Sequence, residues 1–258
     1  MPVARLRQLA GRERTKKSDH RLALLLALVA GGTDAGGFLA TGSFTSHMSG
    51  NLSTLAMTAV TSDVKLLVQV FCALLAFLAG AACTAILVNW GRRSDRQSMY
   101  ATPLLAETIL LTGFGVLGRR WGMHVQSAEP EAFLILCFAM GLQNAMITKL
   151  SRSVIRTTHV TGMITDAGIE LGKLFYRNVR KAAPGIEPVI ADREKLVVLS
   201  SLVAAFMAGG LIGASGYLHW GTMYMLPLAG VTGMLAVVPI VDDLRSRKRD
   251  VTAGQHQR

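Results

Sequence analysis

Cysteine, acidic and aromatic residues are all scarce in this chain of 258 residues. Three cysteines, Cys72, Cys83 and Cys137, fall inside apolar stretches, an odd number with neither disulfide framework nor zinc spacing. No G-x-x-x-x-G-K-[ST] run occurs, which leaves no ATP-driven pump within the chain. H-E-x-x-H, G-x-S-x-G and C-x-x-C-H are also missing, and with them the common hydrolase and heme-attachment signatures. Acidic residues number 16 against 27 Lys and Arg, a net charge of +11. That excess does not point to nucleic acid, because the basic residues sit between apolar blocks, where membrane proteins carry their topology signal.

Apolar surface is what the chain has in abundance. It is 51% hydrophobic, with a mean hydropathy of +0.40. Six stretches approach the ~20 residues that cross a bilayer core of about 30 Å: Leu22–Thr41, Leu66–Val88, Leu104–Gly118, Ala132–Thr148, Leu196–Leu218 and Met223–Val241. Two further segments, Met48–Thr61 and Val160–Phe175, are moderately apolar, and whether they span or re-enter stays open.

With six spans and the N-terminus inside, the inside segments hold every Lys and Arg except Lys65, Arg119 and Arg120. Such a split is a strong positive-inside signal. Inserting one moderate segment as a full span destroys it, and inserting both puts Arg92, Arg93 and Arg96 outside. The chain therefore reads as a multi-pass protein of a bacterial inner (cytoplasmic) membrane, with both termini cytoplasmic. Residues 1–21 form a basic arm, 22–241 a single transmembrane domain, and 242–258 a basic tail. The arm resembles the n-region of a signal peptide, but the apolar block runs on to Thr41 without a clear A-x-A site, so it reads as a first span.

The two halves resemble each other. Gly31-Gly-Thr-Asp34-Ala35 matches Gly141-Leu-Gln-Asn144-Ala145, His47-Met-Ser-Gly50 matches His159-Val-Thr-Gly162, and Phe77-Leu-Ala-Gly80 matches Phe206-Met-Ala-Gly209. Three spans per half make the second half enter the membrane from the opposite side. The expected fold class is thus an all-α membrane protein of about six transmembrane helices, built as two inverted three-span repeats, 22–118 and 131–241. Each repeat carries an additional short broken or re-entrant helix, the plan many secondary transporters use. Thr45 and Ser46, and Thr157 and Thr158, are placed to cap the short helices. Their N-terminal ends would aim free N–H groups and a positive dipole into the membrane, where protein or a water-filled cavity must cover them.

Thr33-Asp34-Ala-Gly-Gly-Phe38, followed by Phe44-Thr-Ser-His47-Met-Ser-Gly-Asn51, resembles the signature of the YoaK family of bacterial membrane proteins. Thr157-Thr-His-Val-Thr161-Gly-Met-Ile-Thr165-Asp166 is similar to that family's second block. The likeness runs from about Leu22 to Val241. It implies a multi-span inner-membrane protein, and it supplies no substrate.

Asp34 lies deep in the first span, where a carboxylate costs several kcal/mol unless paired or protonated. It is either a proton- or cation-coupling group or a structural acceptor for Thr33, His47 or opened backbone. His47 and His159 are the symmetric pair, either ligands or proton carriers, or helix caps. Asn51, Gln143 and Asn144 suit interhelical hydrogen bonds or solute contact. Glu107 is a relay, or a partner for Arg92, Arg93 or Arg96. Asp166, Glu170 and Lys173 share a face that reads as exposed and ion-paired. Gly31, Gly32, Gly36 and Gly37 read as packing residues. The run Lys173–Lys181 reads as an anchor on anionic lipid heads.

The expected function is a permease or secondary transporter for a small solute, possessing no cofactor or metal and no enzymatic activity. Asp34, His47, Asn51, Asn144, His159 and Asp166 form the expected site near the midplane, with Asp34 as coupling group. Two other classes stay open: a membrane-embedded enzyme with a His/Asp pair, which would converge in one half and diverge in the other, and a non-transporting scaffold.

Overall fold

A computed structural model describes residues 16–94, 96, 98–120, 130–150, 159–177 and 187–255. Among them the regular structure is helical: α1 (Lys16–Thr41), α2 (Met48–Thr61), α3 (Val64–Arg93), α4 (Ala101–Arg120), α5 (Pro130–Leu150), α6 (Val160–Phe175), α7 (Arg193–Trp220) and α8 (Met225–Gln255). A 3-10 turn over Gly221–Tyr224 joins the last two. That turn starts at Gly221, whose φ of 57° and ψ of −145° suit a residue without Cβ.

Five stretches are long and apolar enough to cross a membrane: Ser18–Thr41, Val64–Arg93, Ala101–Gly118, Pro130–Lys149 and Arg193–Arg245. The last is 53 residues long and is a hairpin of α7 and α8. At 1.5 Å per residue each of those helices exceeds the bilayer core of about 30 Å on its own. α2 and α6, of 14 and 16 residues, are not among the crossing stretches. The outward surface of α3 is apolar, with Val68, Phe71, Leu75, Leu78 and Ile86 all exposed. In water such a face would be a liability; in a bilayer it meets lipid.

Glycine decides which helices touch. A Cβ on Gly31 would stand 1.9 Å from the Phe206 carbonyl oxygen of α7, and one on Gly209 would stand 1.9 Å from that of Leu28 in α1. Likewise a Cβ on Gly141 of α5 would meet Phe77 O of α3 at 2.1 Å, and one on Gly80 would meet Phe138 O at 2.1 Å. Backbones approach this closely only where small residues line both helices. These contacts run parallel along each pair, α1 with α7 and α3 with α5. α4 and α8 pair antiparallel, through Thr108 Oγ1 and Thr232 Oγ1 at 2.9 Å and through Gly115 against Leu226. α2 lies on α3, and α6 on α7.

The core forms layers between these pairs. Val29, Leu111, Phe114, Leu136, Ala139, Tyr217, Tyr224 and Leu228 make one. Leu22, Leu26, Leu104, Met146, Ile147 and Leu235 make another, nearer the ends that carry most of the Lys and Arg. We call that side the basic face.

Candidate functional site

The chain leaves α1 through Gly42, at φ 75°, and turns back toward the helix before α2 starts. The turn brings residues 45–47 over Asp34, which is only 2% exposed. Asp34 Oδ1 accepts from Thr45 N at 3.0 Å, Thr45 Oγ1 at 3.1 Å and Ser46 N at 3.0 Å. Its Oδ2 faces His47 Nε2 at 3.2 Å. The carboxylate thus gathers the N–H groups at the entry of α2, a latch between a long helix and a short one. His47 is the residue that caps α2 by position, without a side-chain capping bond. Thr45 and Ser46, expected to cap α2 themselves, donate instead to Asp34, because the buried charge is the stronger acceptor. The His47 ring also continues a stack, 4.5 Å from Phe44, which lies 4.4 Å from Phe38.

Asn51 sits one turn into α2, its backbone N–H on His47 O at 3.0 Å and its side-chain amide 3.9 Å from Met48 Sδ. The first-half trio, Asp34, His47 and Asn51, is therefore contiguous.

The second half differs. His159 takes the same capping position on α6, with nearly the same backbone angles as His47. Its ring folds over Gly162 of its own helix, where an added Cβ would meet Nδ1 at 2.1 Å. Asn144, the counterpart of Asp34, is half-buried on α5. Thr157 and Thr158 lie outside the described residues. Asp166 reaches Lys195 of α7 at 3.4 Å. Glu170 does more: it takes Lys173 Nζ at 2.9 Å and the Asp192 N–H at 2.9 Å, while itself 2% exposed. The Lys173 hydrogen bond, then the Asp192 N–H, hold its carboxyl below the usual carboxylate range. The face of Asp166, Glu170 and Lys173 is ion-paired as expected, but Glu170 is covered by the start of α7 rather than exposed.

The two clusters do not meet. Gln143 Nε2 of α5 donates to Leu26 O of α1 at 2.9 Å, which levels those two residues. Asp34 lies eight residues beyond Leu26, and Asn144 one residue the other way, a separation in depth of about 13 Å. A single midplane site holding all six residues is not what the described residues form. An open surface groove of about 390 Å³ is lined by Leu211, Ile212, Ser215, Gly216, His219 and Trp220, and none of the six borders it.

Tyr217 and Tyr224, which lie near Asp34, were not singled out in the sequence. Thr33 Oγ1, Ser46 Oγ, Tyr217 Oη and Tyr224 Oη are buried without a hydrogen-bond partner. The two tyrosines meet edge to face at 5.9 Å, and the Tyr224 ring fills the space left by Gly36. Buried hydroxyls without partners are uncommon, and here four of them lie at one end of the bundle beneath the latch. Glycines that leave room for a distant aromatic were the available signal, but the signal does not say which aromatic.

Glu107 is 2% exposed on α4. It makes no ion pair with Arg92, Arg93 or Arg96; Arg96 instead lies over the Trp90 ring at 3.8 Å. The expected arginine partner is thus corrected: the basic residues after α3 stay at the membrane surface, and Glu107 lies a turn and a half inside α4.

A family described only as a protein of unknown function, DUF1275, matches residues 22–238. The chain belongs to this family. All six candidate residues fall within the match. It is 30% identical over 176 residues to UPF0700 transmembrane protein RA0705 of Rhizobium meliloti (strain 1021), covering 67% of this chain and 70% of that protein. It is 27% identical over 166 residues to UPF0700 transmembrane protein YoaK of Bacillus subtilis (strain 168), covering 63% of this chain and 72% of that one. The resemblance to the YoaK family therefore holds, as does the assignment to the membrane. No solved structure matches the chain.

Proposed function

We propose that this protein is a secondary transporter for a small solute, seated in the cytoplasmic membrane with its basic face inside. The observation that supports it is the exchange symmetry of the packing. Gly31 on Phe206 and Gly209 on Leu28 recur as Gly141 on Phe77 and Gly80 on Phe138. Those are the residues that correspond between the two halves of the chain. Two parallel helix pairs related in this way, with α4 and α8 packed beside them, fit the plan of an inverted repeat. Rocking one pair against the other opens the two faces in turn.

In this reading α2 and α6 are gates on opposite faces. Asp34 with His47 latches the first, and Asn51 lies beside the latch. Asp166 and Lys195 tie the second to α7, with His159 at its tip and Asn144 behind it. The four contacts on Asp34 make it a gate latch more than a free coupling group. The unpartnered hydroxyls of Thr33, Ser46, Tyr217 and Tyr224 would suit a small hydroxylated or amide-bearing solute, or water.

The test is uptake by proteoliposomes under an imposed pH gradient, over a metabolite panel, with wild type against Asp34→Asn. Gradient-dependent uptake that slows by roughly tenfold or more in the variant is the expected result. Absence of uptake of any solute by folded wild type would overturn the reading.

One observation favours a second reading. In the first half the His47 imidazole stands 3.2 Å from the Asp34 carboxyl, a His/Asp pair of the kind a membrane-embedded enzyme acting on a lipidic substrate would use. Turnover of a lipid substrate lost in His47→Asn, without solute uptake, would select it.

A further inference from the structure

We infer that Glu107 is a proton-binding site in the membrane interior, occupied by its proton in this packed state, with Gln143 beside it as the acceptor. The inference deepens the transport reading by naming the coupled ion.

The argument starts from the layers. Leu104 and Leu111 flank Glu107 by one turn on either side of α4. Leu104 clusters with Leu26, Met146 and Ile147, and Leu111 with Val29, Leu136 and Ala139. Between those two sets on α5 lies Gln143, 1% exposed and level with Leu26. Glu107 and Gln143 therefore occupy the same level of the core. Each brings an unsatisfied group. Glu107 makes no hydrogen bond or ion pair among the described residues, and Gln143 Oε1 is buried without a partner. A carboxylate and an amide oxygen are both acceptors and gain nothing from each other; a carboxylic acid donates one hydrogen bond and satisfies both.

No counter-charge is at hand to stabilise the ionised form. α3 carries Arg92 and Arg93 at its end on the basic face. On α5, Lys149 is engaged with Asn89 at 3.3 Å, and Glu131 sits in the first turn, at the far end. On α8, Asp243 holds Ser98 N at 2.9 Å, and with Asp242 it lies about three turns nearer the basic face. Tyr224 precedes α8 at the other end, and Asp34 of α1 is spent on the entry of α2. An unpaired charge at this depth is among the most costly arrangements in a membrane, so the group keeps its proton until one face opens. On opening, carboxylic acid gives carboxylate and a proton to the water that enters, and the reverse step reloads it from the other face.

The experiment uses the full chain in lipid vesicles at neutral pH. It reads proton occupancy, so it stands or falls apart from any uptake. A hydrophobic carbodiimide, which reacts with protonated carboxyls in apolar surroundings, is applied and the modified peptides are mapped by mass spectrometry. Adduct on Glu107, roughly tenfold above that on Asp34 and declining as the pH is raised, is expected. Infrared spectra of wild type and Glu107→Gln give a second readout, the carbonyl band of a buried neutral acid, present in wild type and missing from the variant. If the variant fails to fold, the wild-type peptide map still decides. A map with Asp34 modified and Glu107 unmodified would overturn the inference. So would a spectrum without the neutral-acid band.

Discussion

Two acids begin in similar predicaments and end in opposite ones. Asp34 of α1 and Glu107 of α4 are both within crossing helices and both 2% exposed. Asp34 collects three donors on one oxygen and an imidazole on the other. Glu107 collects none among the described residues. The difference is topological. A turn begins just beyond Asp34, so backbone N–H groups with no helical carbonyl to serve can bend back onto it. Glu107 is surrounded by intact helix on every side, where backbone donors are already used. A buried acid next to a chain reversal is a structural latch; one in mid-helix has only its own proton.

The largest effect expected from breaking this contrast comes from Asp34→Ala. It strands the buried Thr45 and Ser46 N–H groups and frees α2, a loss of about 3 kcal/mol or more at roughly 1–3 kcal/mol per orphaned donor. Thermal unfolding of the purified protein measures it, and a shift no larger than that of an exposed alanine variant would contradict the latch. Glu107→Gln should sharpen the comparison in the other direction. It removes the ionisable group while keeping shape, and stability should be unchanged or rise.

Next in size are the symmetric glycines. Gly209→Ala and Gly80→Ala each force a methyl against a backbone carbonyl, with costs of about 1–3 kcal/mol that should be equal within error. Unequal losses would break the exchange symmetry on which the transport reading rests. Gly113→Ala, facing open space, serves as the neutral control.

Glu170 adds a pH dependence of its own. Its folded carboxyl is held below the ordinary value by Lys173 and the Asp192 N–H. The stability it contributes is therefore complete above its unfolded range and is lost as pH falls through the folded value. The acid limb of an unfolding profile should flatten in Glu170→Gln. The smallest effect is expected of Asp166→Asn, whose pair with Lys195 is about half exposed and worth roughly 0–1 kcal/mol.

Much of the architecture was legible before any coordinates. The long apolar blocks became α1, α3, α4, α5, α7 and α8, because a bilayer imposes length and polarity on each segment separately. The matched motifs identified His47 and His159 as equivalent starts of the short helices. What was misread were partners. Thr45 and Ser46 looked like helix caps because capping is judged from neighbours in sequence, yet the acceptor that wins them sits eleven and twelve residues back. Glu107 looked ready for arginine because both are near the same face, but the sequence carries no depth scale within a turn and a half. Tyr217 and Tyr224 carried no mark at all, since their burial arises from the α7–α8 hairpin closing on Gly36.

The sequence alone therefore determined the membrane class and the order of the helices. Each of these follows from local composition meeting a uniform solvent. Only the tertiary structure decided which buried polar groups are satisfied, at Asp34 and Glu170, and which are left over, at Glu107, Gln143 and the two tyrosines. The reason is physical: a hydrogen bond needs two groups within about 3 Å, and in a bundle those groups come from different helices, whose meeting is set by where glycine lets backbones touch.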